Sequence, residues 1–416
     1  MTAEIISIGD ELLIGQVVNT NQAFIAERLN GVGIFADKMT TVGDDEAQIL
    51  SAFESALSTH EVVTVTGGLG PTHDDITRAA VCNFFKTDLV QDEQAFTHIK
   101  EAFAQRNIPL IKLNEDQALV PRGCTVIQNA VGTAPGYLFE RDGKFFVVMP
   151  GVPKEMKAMM EKFVDPFFQN RGTGTIIRHR TLRTTGIAES LLADQIGNVD
   201  QLFEPRTGLS LAFLPSPRGT RVRISVRTDS ISKAQSKLDA VESILRTKVE
   251  KYIFGVGDEE IEDAIGKLLV EKKLALTIAE SCTGGLIADR ITNVPGSSAY
   301  FERGFICYSN KSKESELGVP TNLIMQHGAV SREVAEAMAF GARTKANADI
   351  GISTTGVAGP SGGSVEKPVG LVWIGYSDRT ITLAKKFNFG EGRLWVKERT
   401  SQAALDLLRR KLMKIE

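Results

Sequence analysis

A serine that could act as a nucleophile stands in the last third of the chain, in the run Ala279-Glu280-Ser281-Cys282-Thr283-Gly284-Gly285. The run joins an apolar stretch to a helical one, where unpaired N–H groups and the positive helix end favour an oxyanion or a phosphate. A serine needs a base, and Lys311 and Lys313 follow the next predicted strand. A desolvated lysine can act as that base, because desolvation lowers its pKa. This pattern predicts a serine–lysine pair; the alternative is that Ser281 only caps the helix and both lysines are solvated.

Cys282 is a second candidate nucleophile, because the helix start would favour its thiolate. No histidine stands in the neighbouring motifs to act as its partner, and His327 is the only histidine of this region. We therefore expect the serine to react rather than the thiol.

A glycine-rich run follows another apolar stretch of the same region: Thr354-Thr355-Gly356-Val357-Ala358-Gly359-Pro360-Ser361-Gly362-Gly363. Such a loop lets backbone N–H groups approach an anion because glycine carries no Cβ. Two glycine-rich loops at two strand ends predict that this domain binds a phosphorylated small molecule.

A third glycine-rich run, Thr66-Gly67-Gly68-Leu69-Gly70-Pro71-Thr72-His73-Asp74-Asp75-Ile76-Thr77, joins a strand to a helix near the N-terminus. It lacks the GxxxxGK[ST] pattern of a P-loop. Its glycines can admit a pyrophosphate, and paired carboxylates at strand ends suit a metal-assisted phosphoanhydride hydrolase. The expected pyrophosphate contacts are Gly67, Gly68, Gly70, Pro71 and Thr72, and the expected ligands of a divalent metal such as Mg²⁺ are Asp10, Glu11, Asp74 and Asp75. The alternative for Asp74 and Asp75 is helix capping, and we expect His73 to be structural or exposed.

Alternating strands and helices must position these runs. The predicted order in the first domain is strand 3–8, helix 21–29, strand 34–40, helix 44–57, strand 62–66 and helix 74–85. This order predicts crossover units and a largely parallel sheet, whose ligand sites lie at the carboxyl ends of its strands. The middle of the chain is predicted as strand 176–184, helix 189–196, strands 209–214 and 221–227, and helix 231–249, a small α+β unit.

The last part of the chain is predicted to be a second α/β domain. Its predicted helices are residues 261–271, 284–291, 331–344 and 394–414, and its predicted strands are residues 275–279, 304–308, 350–354, 369–376 and 381–389. The predicted domains are thus residues 1–170, 175–250 and 258–416.

The composition excludes several classes of protein. Lys and Arg number 48 against 51 Asp and Glu among 416 residues, so no global basic field for nucleic acid exists. Locally, Arg218, Arg221, Arg223 and Arg227 cluster, and we favour a solvated strand face over a nucleic-acid or phosphate surface. No apolar run approaches the roughly 18 residues of a membrane span, and the first residues lack the basic region of a signal peptide. Four cysteines without a CxxC motif indicate a reducing, cytoplasmic location.

These runs, with five others, resemble the motifs of the CinA family of competence/damage-inducible proteins over essentially the whole chain. The other runs are residues 8–15, 18–21, 129–136, 149–156 and 304–313. The resemblance implies a MogA/MoeA-like (molybdopterin-binding-type) α/β sandwich for the first domain, a KH-type α+β middle domain, and an α/β amidohydrolase domain at the C-terminus.

The resemblance also implies two activities of pyridine nucleotide salvage. The last domain would hydrolyse the carboxamide of nicotinamide mononucleotide without a metal, with Ser281 as nucleophile, Lys313 rather than Lys311 as base, Tyr308 near the amide, and N–H groups of residues 283–285 at the oxyanion. The substrate-binding residues it implies are Thr283, Gly284, Gly285, Gly356, Ala358, Gly359, Gly362 and Arg393. The first domain would be a metal-dependent ADP-ribose pyrophosphatase, and the protein a homodimer. The CinA family usually has Asp at the position of Gly392. This difference affects the role implied for Arg393 and leaves the roles of Ser281 and Lys313 unchanged.

Two other roles stay open. The first domain could bind a pterin while the rest acts as a scaffold, or the protein could be a partner in competence or recombination. The near-neutral charge and the lack of an aromatic-basic pattern count against nucleic acid.

Overall fold

The computed structural model describes residues 1–72, 75–172, 174–198 and 208–415. His73 and Asp74 lie outside these ranges, so the roles predicted for them stay predictions. The chain divides into two compact units, Met1–Arg178 with Val226–Ser236, and His179–Ser225 with Lys237–Glu416. Both mix helices and strands, as the sequence predicted.

The first unit contains a six-stranded sheet. Its strands, in spatial order, are Phe35–Val42, Thr2–Ile8, Val62–Thr66, Lys144–Met149, Gly136–Arg141 and Thr125–Ile127. The first four pair in parallel, and Gly136–Arg141 pairs antiparallel with both of its neighbours. The two inner strands Thr2–Ile8 and Val62–Thr66 consist almost entirely of buried residues, which is typical of a parallel sheet covered on both faces.

Helices cover both faces of this sheet. The helices are Asp10–Leu13, Thr20–Gly31, Glu46–Thr59, Thr77–Phe85, Glu93–Gln105, Lys112–Glu115, Pro153–Met159 and Asp165–Arg171, with short 3-10 and π turns at Asp116–Ala118 and Met160–Val164 and a two-stranded ribbon of Leu89–Gln91 and Leu119–Pro121. Successive strand residues point to opposite faces. Ile5 therefore packs in one apolar cluster with Leu29, while Ile6 packs in another with Phe53.

A four-stranded sheet follows in the middle of the chain, ordered Leu209–Ser216, Gly219–Thr228, Ile176–Thr184 and Ile253–Val256. Its helices are Glu189–Ile196 and Ile231–Val249, and a 3-10 turn spans Glu250–Tyr252. Along strand Gly219–Thr228, Arg221, Arg223 and Arg227 are exposed and alternate with buried apolar residues. The three arginines therefore lie on the solvent-facing side of the strand.

The C-terminal sheet has five strands, ordered Phe301–Ile306, Leu276–Glu280, Ile350–Gly356, Leu371–Ser377 and Thr382–Asn388. The first three pair in parallel, and Leu371–Ser377 pairs antiparallel with both of its neighbours. The helices are Ile261–Lys272, Leu286–Thr292, Asn310–Leu317, Thr321–His327, Arg332–Lys345 and Arg393–Met413, with a 3-10 turn at Ser297–Ala299. Because parallel strands end at one edge, the sheet brings residues 279–285 and 354–363 to the same side.

Several local predictions in this domain need correction, and two of them bear on the serine and lysine. The helix predicted from residue 284 begins at Leu286, because Gly284 and Gly285 both have positive φ, at 62° and 96°, a conformation open mainly to glycine. Helix Asn310–Leu317 was not predicted at all. It is short and polar and buries only Lys313 and Leu317, so it has no apolar period to detect.

Within the described ranges, no helix combines the length and the apolar character needed to cross a membrane.

Candidate functional site

Ser281 and Lys313 meet at the carboxyl edge of the C-terminal sheet. The Lys313 Nζ lies 3.1 Å from the Ser281 Oγ, although 32 residues separate the two in sequence. Lys313 stands on helix Asn310–Leu317, which Ser309 caps by accepting from the Ser312 amide. The same Nζ also lies 3.0 Å from the carbonyl oxygen of Cys307 and 3.2 Å from that of Tyr308.

Burial lowers the pKa of Lys313, because desolvation disfavours its ammonium form. The side chain is only 1% exposed, and no carboxylate forms an ion pair with it among the described residues. A neutral amine has two N–H donors and one lone pair. The carbonyls of Cys307 and Tyr308 can accept the two N–H groups, which leaves the lone pair for the Ser281 hydroxyl proton. The arrangement suits a general base.

The strand and its neighbour hold Ser281 in place. Its amide donates to the Thr354 carbonyl (3.0 Å), and the hydroxyls of Thr283 and Thr354 lie 2.8 Å apart. Ser281 is buried, with 8% of its surface exposed. The backbone of Ser281 is thus fixed, and its hydroxyl contacts Lys313.

Glu280, which sequence reasoning missed, caps the helix that follows the serine. Its carboxylate accepts from the amides of Gly285 (3.0 Å), Ile287 (3.1 Å) and Ala288 (2.8 Å). An acidic residue just before a turn into a helix was the available signal.

This capping corrects the predicted oxyanion contacts. The Gly285 amide bonds to Glu280, and the Gly284 amide donates to the Ser281 carbonyl (3.2 Å). Of residues 283–285, only Thr283 keeps an amide without a partner among the described residues. The positive φ of both glycines explains why glycine stands there: they shape the turn.

Cys282, the other candidate nucleophile, has an unreactive thiol. Burial raises the pKa of its thiol to about 12, so the thiol stays protonated at neutral pH. A buried thiol of this kind is not a nucleophile.

Three residues expected at the substrate come together beside the serine. The Arg393 guanidinium donates to the Gly359 carbonyl (3.0 Å) and to the Tyr308 hydroxyl (2.8 Å). Tyr308 is 60% exposed, so its ring is available to a ligand. Gly392 has φ 99° just before the helix of Arg393, a conformation that suits the glycine found there.

Lys397 is a further cation that sequence reasoning missed. A Cβ on Gly284 would lie 3.7 Å from the Lys397 Nζ. Lys397 follows Arg393 by four residues on helix Arg393–Met413, so both occupy one helix face. That spacing was the available signal, and the edge of the site is cationic.

The glycines of the second loop have different tasks. Gly359 and Gly362 have φ of 79° and 88° and belong to the loop itself, and Ala358 is buried beside them. Gly356 instead ends a strand, where a Cβ would lie 2.8 Å from the Leu371 carbonyl oxygen. Close strand packing therefore requires Gly356.

The first unit has its own cavity of about 430 Å³ at the carboxyl edge of its sheet. Of the residues predicted there, Gly67, Gly68, Gly70, Pro71, Glu11 and Asp75 line it. Asp10 and Thr72 are not among its lining residues. Gly67 is required because a Cβ would stand 2.1 Å from the Ile8 carbonyl oxygen.

Several of the acidic groups near this cavity already have partners. Asp75 accepts from the amide (2.9 Å) and the hydroxyl of Thr72. Asp10 and Asp44 each accept from the other's backbone amide, at 3.2 and 3.0 Å. Asp44 and Glu155 line the cavity without having been predicted, and burial raises the pKa of Glu155.

The fit of a metal to this cavity depends on those oxygens. No three His, Cys, Asp or Glu side chains within the described ranges cluster closely enough to form a metal site, and Asp74 is outside those ranges. Mg²⁺ is commonly held by one or two carboxylates together with substrate phosphates. Glu11 and Asp44 are carboxylates of the right chemistry on the cavity wall.

Three protein families match the chain. The probable molybdopterin binding domain matches residues 4–170, the damage-inducible protein CinA KH domain matches residues 179–255, and the CinA C-terminal domain matches residues 258–412. The three matches follow one another along the chain and agree with its mixed α/β architecture.

Full-length relatives carry the same names. A CinA-like protein of Chloroherpeton thalassium is 46% identical over 98% of this chain and 99% of its own length. A putative competence-damage inducible protein of Caldicellulosiruptor saccharolyticus is 42% identical over 99% of this chain and 100% of its own length. The crystal structure of a competence/damage inducible protein of Agrobacterium tumefaciens covers 37% of this chain and 95% of its own, with 40% identity and a TM-score of 0.35. Identity at this level over the whole length shows that the chain belongs to the CinA family.

Proposed function

We propose that the C-terminal domain hydrolyses the carboxamide of nicotinamide mononucleotide to nicotinate mononucleotide and ammonia. The observation that carries the proposal is the buried Lys313 amine, 3.1 Å from the Ser281 hydroxyl and held by two carbonyls. A base–nucleophile pair within hydrogen-bond distance is what covalent acyl transfer requires.

The chemistry then runs in two halves. Lys313 takes the Ser281 proton as Oγ attacks the carboxamide carbon, and the resulting ammonium returns the proton to the departing ammonia. Water, deprotonated by the same lysine, cleaves the ester and releases nicotinate mononucleotide. The Thr283 amide is the donor available to the oxyanion, and such a donor contributes about 3 kcal/mol.

The edge of the site supports the proposed substrate class. Arg393 uses its guanidinium to hold Tyr308 and Gly359 and keeps further N–H donors for a phosphate. Lys397 adds a second positive charge near Gly284. The exposed Tyr308 ring offers a stacking surface to a pyridine ring. A phosphorylated aromatic amide fits these three features.

Ammonia release from nicotinamide mononucleotide, measured with EDTA present, tests the proposal. We expect wild-type turnover to persist with EDTA and to be lost in Ser281→Ala and Lys313→Ala. Lys311→Ala is the matched control, because Lys311 is exposed on the same helix and should leave turnover unchanged. Activity that survives Ser281→Ala would refute the serine mechanism.

A second activity is proposed for the first domain: metal-dependent hydrolysis of ADP-ribose. The cavity of about 430 Å³, with its glycine turn beside Glu11, Asp44 and Asp75, supports it. A divalent metal bound there would neutralise pyrophosphate charge. Phosphate release from ADP-ribose by wild type with Mg²⁺, coupled to a phosphatase, should disappear with EDTA and fall in Glu11→Gln. Tight pterin binding without such turnover would favour the pterin-binding role instead.

The remaining proposals concern context. We propose a cytoplasmic homodimer that serves pyridine nucleotide salvage; the relatives' names, which call them competence-damage inducible, would instead point to a role in competence or after damage. Light scattering that gives a single monomer mass would refute the dimer. Salt-sensitive DNA binding lost on substituting Arg221 and Arg223 would support the other role.

A further inference from the structure

A separate cavity of about 770 Å³ lies within the second unit. Its walls are helix Arg393–Met413, the edge strand Thr382–Asn388, and the loops around residues 185–189 and 215–220. Its lining includes neither Ser281 nor Lys313. The volume is that of a small-molecule site.

The cavity wall is positively charged. Lys251, Lys385, Arg399 and Arg410 line it, against the acids Glu189 and Asp406. Asp406 is already neutralised inside the protein. Its Oδ1 accepts from the buried Arg409 at 2.8 and 3.0 Å, and its Oδ2 accepts from Arg410 at 2.8 Å. The excess of cations favours an anion in the cavity.

Aromatic rings form another part of the same wall. Phe387 and Phe389 stack with centroids 5.5 Å apart and an interplanar angle of 16°, and Tyr252 lines the cavity with them. Lys385 and Phe387 are two residues apart on one strand, so a cation and a ring project to one face. An anion with a flat aromatic group would meet both.

A buried amide donor completes the wall. Gln402 lines the cavity with 4% of its surface exposed. Its Oε1 accepts from Arg290 Nη2 at 2.9 Å. Because an arginine can only donate, this bond fixes the side-chain orientation. The Nε2 group has no partner among the described residues, whereas buried donors nearly always have one.

We propose that this cavity is a binding site for a nucleoside phosphate, with its base against the phenylalanine rings and its phosphates near the cationic side chains. The site is distinct from the serine site and from the cavity of the first unit. The inference does not depend on the activities proposed above, since it uses none of their residues.

Titration of the full-length protein with ADP, followed by tryptophan fluorescence, tests the proposal. The chain has two tryptophans, Trp373 and Trp395, and both belong to the second unit. Arg399, which lines the cavity, lies over the Trp395 ring at 4.7 Å. Binding in the cavity should therefore change the emission, while binding to the first unit should not.

The decisive comparison is between two adjacent lysines. Lys385→Glu should weaken ADP binding about tenfold or more, because a phosphate contact is replaced by a repulsive charge. Lys386→Glu is the matched control, because it makes the same change of charge: Lys386 is also exposed but projects to the other strand face, and this variant should bind ADP as wild type does. Phe387→Ala should also weaken binding, with its fold checked by circular dichroism.

Each contrary result would overturn one part of the proposed nucleoside phosphate site. A wild type without a saturable ADP signal, or a signal that Lys385→Glu leaves unchanged, overturns the site. Pyrophosphate that binds as tightly as ADP overturns the role of the base. Adenosine that binds as tightly as ADP overturns the role of the phosphates.

Discussion

Replacing Lys313 by methionine tests the proposed base most directly, because it keeps the length of the side chain and removes the amine. The amine is the only base within hydrogen-bond distance of Ser281 Oγ among the described residues. Loss of a general base typically costs a factor of about 10²–10⁴ in rate, or about 2.7–5.5 kcal/mol of transition-state stabilisation. We expect kcat/KM for ammonia release from nicotinamide mononucleotide to fall within that range.

The pH dependence of kcat/KM tests the same base in a second way. Because burial lowers the pKa of Lys313, the neutral amine becomes the main form at a pH below the usual lysine value of about 10.4. Wild-type kcat/KM should rise with pH through that lowered pKa, and the residual activity of Lys313→Met should lack this rise. Lys311→Met, at an exposed position, should keep the wild-type profile. A variant with more than about a tenth of wild-type kcat/KM, or with the same pH rise, would refute the reasoning.

The same burial predicts how stability depends on pH. Between the lowered pKa of the folded lysine and the ordinary pKa of the unfolded one, the unfolded chain binds more protons. The free energy of unfolding must then rise with pH across that window. Urea denaturation followed by tryptophan fluorescence should show this rise in wild type and a smaller rise in Lys313→Met; equal slopes would contradict it.

Three further predictions concern the frame of the site. Glu280→Gln should lower the free energy of unfolding of the C-terminal domain by about 2 kcal/mol. The three amides lose a charged acceptor, and at least one of them faces the Gln NH2 group, which cannot accept; an unchanged urea midpoint would contradict this. Cys282→Ser should keep ammonia release within a few-fold of wild type, because the buried thiol is protonated, and a complete loss would make the thiol the nucleophile. Arg290→Met should lower the free energy of unfolding by about 3–5 kcal/mol, because the carboxylate of Glu262, 2.6 Å away, stays buried without its partner. The double variant with Glu262→Met should recover much of that loss in the same denaturation assay. A double variant no more stable than Arg290→Met would contradict this prediction.

Much of the candidate site could be predicted from local sequence. The apolar runs before Ser281 and before Gly356 predicted two buried strands, and the glycines after them predicted turns. Parallel strands end at one edge, so the two loops had to be neighbours. Ser281 and Lys313 were identified as candidates from residue type and from the family resemblance, without knowledge of their distance.

Only the tertiary structure decided what those residues can do. The lowered pKa of Lys313 depends on burial, and helix Asn310–Leu317, which carries it, has too few apolar residues to be recognised. Glu280 takes the Gly285 amide expected at the oxyanion, a competition that no local pattern reveals. Arg393 meets Tyr308 across 85 residues. Sequence periodicity records which face of an element is apolar, whereas distance, desolvation and hydrogen-bond competition arise only when elements distant in sequence pack together.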